Sequence, residues 1–171
     1  MYTFNPETPD DGDEVENLFD LAFAPGRTAL SSYRLREGVK ALWELSRVAR
    51  DEADVLAGAI RFWPVIIGKN QDSALLLGPV AVHPTRQGEG LGAGLIGEGV
   101  AAARAAGWTR VLLVGDAPYY RRFGFKPLKG IEFPPPTNPD RVLGQALVAG
   151  AFDGVTGPVR RFSERGRPDS P

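Results

Sequence analysis

The chain has 171 residues, of which 43% are apolar and 24% are charged, and its formal net charge is −1. A chain of this length and composition can bury its own core without disulfides or metals, and its charge balance indicates neither a nucleic-acid partner nor a membrane partner. The absence of cysteine and the single histidine, His83, exclude a disulfide framework, thiolate zinc sites, a cysteine nucleophile and a multi-histidine metal site. We therefore predict no bound metal.

The amino-terminal residues contain no basic region followed by an apolar stretch, so they predict no secretory signal. No segment approaches the length of about 18 uninterrupted apolar residues that indicates a membrane-spanning helix. We therefore expect a cytoplasmic protein without a membrane partner.

The amino-terminal half mixes helical and strand patterns, judged from apolar spacing and from turn residues. The predicted elements are, in chain order, a strand at 2–5, a helix from Pro9 to Pro25-Gly26, a shorter helix at 28–37, a strand at 43–49, a turn at 51–54 and a long strand at 56–67. The last two strands form a hairpin.

The segment 74–82 is almost wholly apolar and predicts a central strand covered on both faces. Gly78-Pro79 interrupts it, because proline donates no ladder hydrogen bond and glycine often marks a bulge. The elements predicted after it are a helix at 91–106, a strand at 111–114, a short helix at 118–123, a strand from Phe125, a proline-rich loop at 131–139 and a last strand at 145–152. The order indicates one mixed α/β sheet in a single domain, 1–162, followed by a flexible tail, 163–171.

A glycine-rich turn from Gln87 to Gly92 connects the apolar strand to the next helix. The amino end of a helix has unpaired N–H groups and a partial positive charge that can hold a phosphate. Glycines let the backbone approach that phosphate closely, because no Cβ stands in the way. The pattern predicts a pyrophosphate cradle and therefore a nucleotide-bearing cofactor.

Two other phosphate-binding loops compete with this interpretation. A Walker-type loop needs Gly-Lys followed by Ser or Thr, and the sequence has no such triplet. A dinucleotide-binding oxidoreductase domain is the serious alternative. Its glycine fingerprint is matched twice, by Gly92-x-Gly94-x-x-Gly97 and by Gly88-x-Gly90-x-x-Ala93. Asp116 also has the position of the acid that binds the ribose in such domains. In that fingerprint the glycines follow the strand at once and open repeated βαβ units, whereas here residues 83–87 intervene and a hairpin precedes the motif.

Gln87-Gly-Glu-Gly90-Leu-Gly92 resembles the acyl-CoA signature of the GNAT acetyltransferase superfamily, which is Gln or Arg, two residues, Gly, one residue, then Gly or Ala. The strand at 76–82 is similar to the fourth strand of the family, and Tyr120-Arg-Arg-Phe-Gly124-Phe125 resembles its Tyr-x-x-x-Gly-Phe motif. The resemblance implies the acyl-CoA N-acyltransferase fold: a central twisted mixed sheet flanked by helices, with splayed fourth and fifth strands.

The resemblance narrows to the YhbS-like branch of bacterial predicted acetyltransferases, through stretches that begin at Ile60, Leu77 and Val114. It implies transfer of an acetyl group from acetyl-CoA to a small-molecule or peptide amine, in a family that often forms homodimers. By resemblance, the cofactor contacts are made by the strand and the cradle, at Val80, Ala81, Val82, Gln87, Gly88, Glu89, Gly90, Leu91 and Gly92. Asp116 stands where relatives often contact the cofactor.

Tyr120 is the candidate general acid, since it has the family spacing to Gly124 and a phenol beside the sulfur can protonate the leaving thiolate. Its neighbour Tyr119 lacks that spacing. The strand at 76–82 has no Asp or Glu, so the sequence names no general base, and His83 occupies a position that varies in the family. Without a Cys or a Ser-His-acid pattern, we expect direct attack of the amine in a ternary complex.

The sequence allows two interpretations of several residues. Arg86 is either a phosphate contact or a solvated charge. Gly94, Gly97 and Gly99 each cost a helix about 1 kcal/mol relative to Ala, which indicates close packing or close approach of the cofactor. The acceptor wall is expected in the first two helices, the hairpin and the C-terminal loop, where the candidates are Arg27, Arg34, Trp43, Arg61 and Trp63. A non-catalytic acyl-CoA-binding protein and a longer-chain acyltransferase are the alternative functions.

Overall fold

The computed structural model describes residues 1–23 and 31–162 of the chain. The chain is divided into two compact units, and each unit is assembled from three separate segments. Unit 1 comprises Met1–Arg27, Ala41–Phe62 and Leu77–Ala106, and unit 2 comprises Thr28–Lys40, Trp63–Leu76 and Gly107–Pro171.

Unit 1 contains an antiparallel ladder and two helices. β1 (Thr3–Pro6) pairs with β2 (Arg47–Arg50), and β2 pairs with the first part of β3 (Leu56–Ile67). A 3-10 turn at Pro9–Asp11 leads into α1 (Gly12–Ala22). The helix buries one apolar stripe against the sheet, in a cluster that contains Val15, Leu18, Phe19, Val48, Leu56, Ala59 and Ala81.

The second helix of unit 1, α2 (Leu91–Ala105), lies close to its neighbours because glycines remove the side chains between them. A Cβ at Gly94 would lie 2.7 Å from Cζ of Phe4, and a Cβ at Gly99 would overlap the Phe62 ring. On the sheet side, a Cβ at Gly58 would lie 2.9 Å from Cδ1 of Leu95. Close packing therefore explains Gly94 and Gly99, whereas a Cβ at Gly97 would meet nothing within 4 Å.

Unit 2 contains β5 (Arg110–Val114) and the first part of β4 (Asp72–Val82), up to Leu76. The two strands run parallel at Leu75↔Val111 and Leu76↔Leu112. β5 pairs antiparallel with β8 (Val142–Ala146), which also pairs with the short β6 (Lys126–Pro127). β9 (Gly157–Arg161) pairs antiparallel with the end of β3 and parallel with β7 (Ile131–Glu132). α3 (Ala117–Arg121) follows β5.

The strands form a mixed sheet, which confirms the predicted α/β class. Both recorded pairs between β4 and β5 precede Gly78, whose φ of 136° is a conformation that side-chain-bearing residues rarely adopt. The pairing of β4 with β5 therefore ends before Gly78-Pro79, although β4 itself continues to Val82. From β4, Ala74 and Leu76 pack in the core of unit 2, with Val65, Ile67, Leu112, Phe133, Val142 and Val159.

Four local predictions are wrong. Residues 43–45 form a turn and β2 begins only at Arg47, since Leu45 and Ser46 donate backbone hydrogen bonds to Leu42 rather than to a strand. In the described part of 28–37 the structure has a 3-10 helix at Ser31–Leu35, and residues 28–30 lie outside the described residues. The predicted loop at 131–139 contains β7, and the predicted last strand at 145–152 is mostly turn, because β8 ends at Ala146 and β9 is the last strand.

The structure has two compact units, and the single domain expected at 1–162 stays a prediction. The expected tail at 163–171 lies outside the described residues. In the ranges 1–23 and 31–162, no helix has the length and apolarity needed to cross a membrane. The same ranges contain no group of three or more His, Cys, Asp or Glu side chains arranged to hold a metal ion.

A buried ion cluster connects β3 to the amino-terminal segment. The Arg61 guanidinium donates to both Glu7 carboxylate oxygens, at 3.0 and 2.8 Å, and also to Glu16. The Glu7 side chain is 0% exposed and the Arg61 side chain 9%. Burial alone would lower the pKa of Arg61. The hydrogen bonds to Glu7 and Glu16 raise the pKa by more, so it lies above its ordinary value. Arg61 is therefore a structural cation of unit 1.

Replacing Arg61 by methionine should destabilise the protein strongly, because it leaves the Glu7 carboxylate buried without a cation. Removing one partner of a buried pair costs about 3–5 kcal/mol, to be measured as the free energy of unfolding in urea. Glu16→Gln is the matched control, since Glu16 is 47% exposed and exposed pairs contribute at most about 1 kcal/mol. Equal losses in the two variants would contradict the structural role of the buried pair.

Candidate functional site

The end of β4 supplies the strand part of the candidate site, in unit 1. Ala81 is buried in the cluster beneath α1, whereas Val80 and Val82 are partly exposed, as the alternation of a strand requires. The backbone N–H of His83 donates to the Ala57 carbonyl at 2.8 Å, which fixes the end of β4 beside β3. The turn that follows the strand therefore begins at a fixed position.

The glycine-rich turn has the conformation that an anion-binding loop needs. Gly88 and Gly90 have φ angles of 84° and 78°, a region that favours glycine, and Gly90 is the N-cap of α2. A Cβ at either glycine would meet nothing within 4 Å, so the space beside both is open. The first turn of α2 has no acidic residue, and the N-cap makes no side-chain hydrogen bond to it. Its N–H groups can therefore serve a bound phosphate.

A side-chain network that the sequence did not reveal braces this turn. The Tyr2 hydroxyl donates to Oε1 of Glu89 at 3.0 Å and accepts from Nη1 of Arg86 at 3.1 Å. Arg86 also donates to Oδ2 of Asp51 at 2.6 Å, and this bond raises the pKa of Arg86 and lowers the pKa of Asp51. Arg86 is thus held by Asp51 and Tyr2, and the network contacts both sides of Gln87-Gly88.

His83 and Gln87 make local contacts around the same turn. The Nδ1 atom of His83 accepts the Thr85 N–H at 3.2 Å and lies 2.8 Å from the Thr85 hydroxyl, so the imidazole caps the 3-10 turn at Pro84–Arg86. The Gln87 side-chain amide donates to the Val82 carbonyl in a long bond of 3.4 Å. Both contacts stabilise the path from β4 into the turn.

Tyr120 lies on α3, in unit 2, within a cluster of aromatic rings. Its ring packs edge-on against Tyr119 and Phe125, with centroid distances of 5.0 and 5.9 Å. The glycine at Gly115 makes room for it, since a Cβ there would lie 2.6 Å from Cε2 of Tyr120. Burial raises the pKa of the Tyr120 phenol to about 12. The phenol therefore stays protonated at neutral pH, as a proton donor must.

Asp116 is the N-cap of α3, because its Oδ2 atom accepts the Tyr119 N–H at 3.2 Å. This cap fixes the start of the helix that carries Tyr120. The predicted residues of the strand and the cradle therefore lie in unit 1, whereas Asp116 and Tyr120 lie in unit 2.

The acceptor-wall candidates have different surroundings. Arg61 is committed to Glu7 and Glu16, and Trp63 packs against the core of unit 2. Trp43 is partly buried in a turn. Arg34 is exposed and lines a cavity in unit 2, and Arg27 lies outside the described residues.

Comparison with known proteins matches residues 42–127 to the family described as "Acetyltransferase (GNAT) domain". The chain is also 34% identical, over 131 residues, to the uncharacterized N-acetyltransferase YjhQ of Escherichia coli (strain K12), covering 75% of this chain and 72% of that protein. The chain belongs to the GNAT acetyltransferase family. The matched segment includes β4, the cradle and the Tyr120 motif, so the GNAT signature at Gln87–Gly92 lies in its expected context.

Solved GNAT structures have the same fold. The crystal structure of the GNAT family N-acetyltransferase YhbS from Escherichia coli, in complex with CoA, has a TM-score of 0.80 and 27% identity, and covers 94% of this chain and 89% of that one. A GNAT family acetyltransferase from Brucella melitensis, in complex with acetyl-CoA, has a TM-score of 0.63 and 35% identity, over 90% of this chain and 99% of that one. The predicted acyl-CoA N-acyltransferase fold and the resemblance to the YhbS-like branch are confirmed.

Replacing Tyr2 by phenylalanine should loosen the cradle of this GNAT protein, because the hydroxyl is the atom that joins Arg86 to Glu89. The hydroxyl makes two hydrogen bonds, and a net loss of about 1 kcal/mol for each corresponds to roughly 30-fold faster amide hydrogen exchange at residues 87–90. Tyr33→Phe, the same chemical change in unit 2, should leave exchange in the cradle unchanged. Unaltered exchange at 87–90 in Tyr2→Phe would show that the network does not brace the turn.

Proposed function

We propose that this chain transfers an acetyl group from acetyl-CoA to a primary amine by direct attack in a ternary complex. The observation that carries the proposal is the open, glycine-lined amino end of α2, directly after β4, in a chain of the GNAT acetyltransferase family. The CoA and acetyl-CoA complexes of the two solved relatives support acetyl-CoA as the cosubstrate.

The cradle is suited to the pyrophosphate of acetyl-CoA. Main-chain N–H groups from Gln87 to Gly92 would hold its oxygens, with the partial positive charge at the amino end of α2. Arg86 is occupied by Asp51 and Tyr2, so we assign it to bracing the turn rather than to the phosphate. Glu89 contributes through its backbone, since its carboxylate accepts from Tyr2.

The end of β4 would bind the pantetheine arm through the backbone of Val80, Ala81 and Val82, as an added strand does. The long bond from Gln87 leaves the Val82 carbonyl a second lone pair for that purpose. A backbone N–H near Val82 would hold the oxyanion. Asp116 would contact the cosubstrate from the start of α3, with one carboxylate oxygen already used in the helix cap.

The chemistry needs one proton donor and no covalent intermediate. The amine nitrogen attacks the thioester carbonyl carbon, the carbon–sulfur bond breaks, and the sulfur leaves as a thiolate that takes the phenol proton of Tyr120. The attacking nitrogen releases its extra proton to solvent water, and the Tyr120 phenolate takes one proton back from solvent. The high pKa of Tyr120 keeps the proton in place until the thiolate forms.

The acceptor is a primary amine on a small molecule or a peptide. A homodimer and a cytoplasmic location stay predictions made from the sequence and its resemblance.

Calorimetric titration of acetyl-CoA into the purified full chain tests the proposal. We expect micromolar binding by the native protein and a loss of at least tenfold in Gly90→Asp, which places a negative charge beside the pyrophosphate. Gly90→Asn is the matched control, because both side chains tolerate a positive φ and differ only in charge. Absence of binding by the folded native protein would overturn the proposal.

A second prediction concerns Tyr120. Tyr120→Phe should lower kcat about 100-fold, the lower range for a general acid, and leave the Kd for acetyl-CoA unchanged. In the native protein the rate should not fall between pH 8 and about pH 11, because a phenol with a pKa of about 12 remains protonated over that interval.

The measurement is thiol release from acetyl-CoA with a panel of primary amines, across this pH range. Tyr119→Phe is the control and should keep the native kcat. A Tyr120→Phe variant with full activity would exclude Tyr120 as the acid. A native rate that falls with an apparent pKa near 9, where the Tyr120→Phe rate does not fall, would contradict the raised pKa of Tyr120.

A further inference from the structure

Arg141 is a cation of unit 2 to which acetyl transfer, as proposed above, gives no role. It is the last residue of a 3-10 turn, Pro139–Arg141, that leads directly into β8. Among the residues that the structure describes, its exposed guanidinium group makes no hydrogen bond and no ion pair. Its charge is therefore free to act on a ligand.

The backbone of Arg141 is fixed at both its N–H and its carbonyl group. The N–H donates to the Asn138 carbonyl at 3.0 Å, and the carbonyl accepts from the Gly115 N–H at 2.9 Å. The Asn138 side chain also caps the 3-10 turn. Arg141 is therefore held opposite Gly115, one position beyond the last recorded pair of β5 and β8, Val114↔Val142.

The side chain of Arg141 lies on the Tyr120 face of this strand pair. Opposite residues of an antiparallel pair have their side chains on the same face, and successive residues alternate between faces. Val142 is buried in the core of unit 2, so its neighbour Arg141 faces the other side, as does Gly115. The Tyr120 ring lies on that side, because a Cβ at Gly115 would lie 2.6 Å from its Cε2 atom. The strand pairing therefore places Arg141 beside Tyr120.

The electrostatics of the Tyr120 phenol agree with this placement. Burial raises the pKa of the phenol to about 12 and Tyr119 raises it too, whereas the Arg141 charge lowers it. Asp116 is the carboxylate that acts on the same phenol, and one of its oxygens is used in the cap of α3. Arg122, another cation of this region, stacks over the Tyr119 ring at 4.3 Å. Arg141 is thus the cation beside the phenol that a ligand can engage.

An acceptor in direct attack has to lie beside Tyr120. Its nitrogen must come within about 3–3.5 Å of the thioester carbonyl carbon. That carbon is bonded to the sulfur that takes the Tyr120 proton. Substituents on the acceptor amine are therefore close to the phenol, on the face where Arg141 lies.

We propose that the acceptor is a small amino carboxylate and that Arg141 binds its carboxylate group. The planar fork of a guanidinium group pairs with both oxygens of a carboxylate, and such bidentate, charge-assisted bonds are stronger than neutral ones. Arg141 is then a specificity residue for the acceptor. This inference rests on the acetyl-transfer proposal and narrows its acceptor from primary amines in general to amines that carry a carboxylate.

The test compares three amino carboxylates, glycine, β-alanine and 4-aminobutyrate, with their uncharged amides as acceptors. Thiol release from acetyl-CoA gives kcat/KM for each acceptor. The acid-to-amide ratio of kcat/KM is compared between variants, so the different basicities of the amines cancel. For the pair with the fastest acid, we expect this ratio to fall about tenfold in Arg141→Gln, through a higher KM for the acid at an unchanged kcat.

Arg121→Gln is the matched control and should keep the native acid-to-amide ratio. Arg121 is also exposed and follows Tyr120 directly, on α3, but its charge is not among those that act on the Tyr120 phenol. A ratio that Arg141→Gln leaves unchanged, or that Arg121→Gln lowers equally, would overturn the proposal. Acetylation of other primary amines by a native protein that acetylates none of the three acids would also overturn it.

Calorimetric titration of acetyl-CoA separates the remaining outcomes. Arg141→Gln should bind acetyl-CoA with the native Kd, and a raised Kd would place Arg141 at the cosubstrate and contradict its role at the acceptor. A native protein that binds acetyl-CoA but releases thiol with no amine at all would contradict acetyl transfer itself. The failure of the acceptor assignment is therefore distinguishable from the failure of the proposed function.

Discussion

The position of α2 depends on close contacts that only small residues permit. Gly94 faces the Phe4 ring, Gly99 faces the Phe62 ring, and Gly58 of β3 receives the Leu95 side chain. Glycine inside a helix costs about 1 kcal/mol relative to alanine, so the packing of two aromatic rings has to offset that cost. Because α2 is held against β1 and β3 in this way, its amino end stays at the carboxyl end of β4, where the cradle forms.

The cradle attracts an anion mainly through its backbone. The cation nearest to it in sequence, Arg86, is used to connect Asp51 with Tyr2, and Glu89 in the turn itself is negative. Main-chain N–H groups and the helix dipole are therefore the attractive elements, and the side chains keep those groups in position.

The long elements were predictable because their signals are local. The bounds of β3 and α2, and the glycine turn between β4 and α2, follow from apolar runs and from glycine positions. The prediction of a strand at 43–49 was wrong for residues 43–45, because the alternation of apolar residues there is also compatible with a turn. The Leu42 N–H donates to the Phe62 carbonyl, a distant contact that the local pattern does not show. The Tyr2 network joins residues that are more than 80 positions apart in the chain, so no local pattern could reveal it.

The two units alternate along the chain, and this affects how the protein is made. A ribosome releases the last segment of unit 1, which ends at Ala106, before it releases β5, and unit 2 is complete only when β9 has emerged. Chains generally fold in the order of their synthesis. The apolar start of β4, where Leu75 and Leu76 are 0% exposed in the finished protein, therefore waits for Val111 and Leu112. During that interval the apolar start of β4 lacks the neighbour that pairs with it in the finished protein.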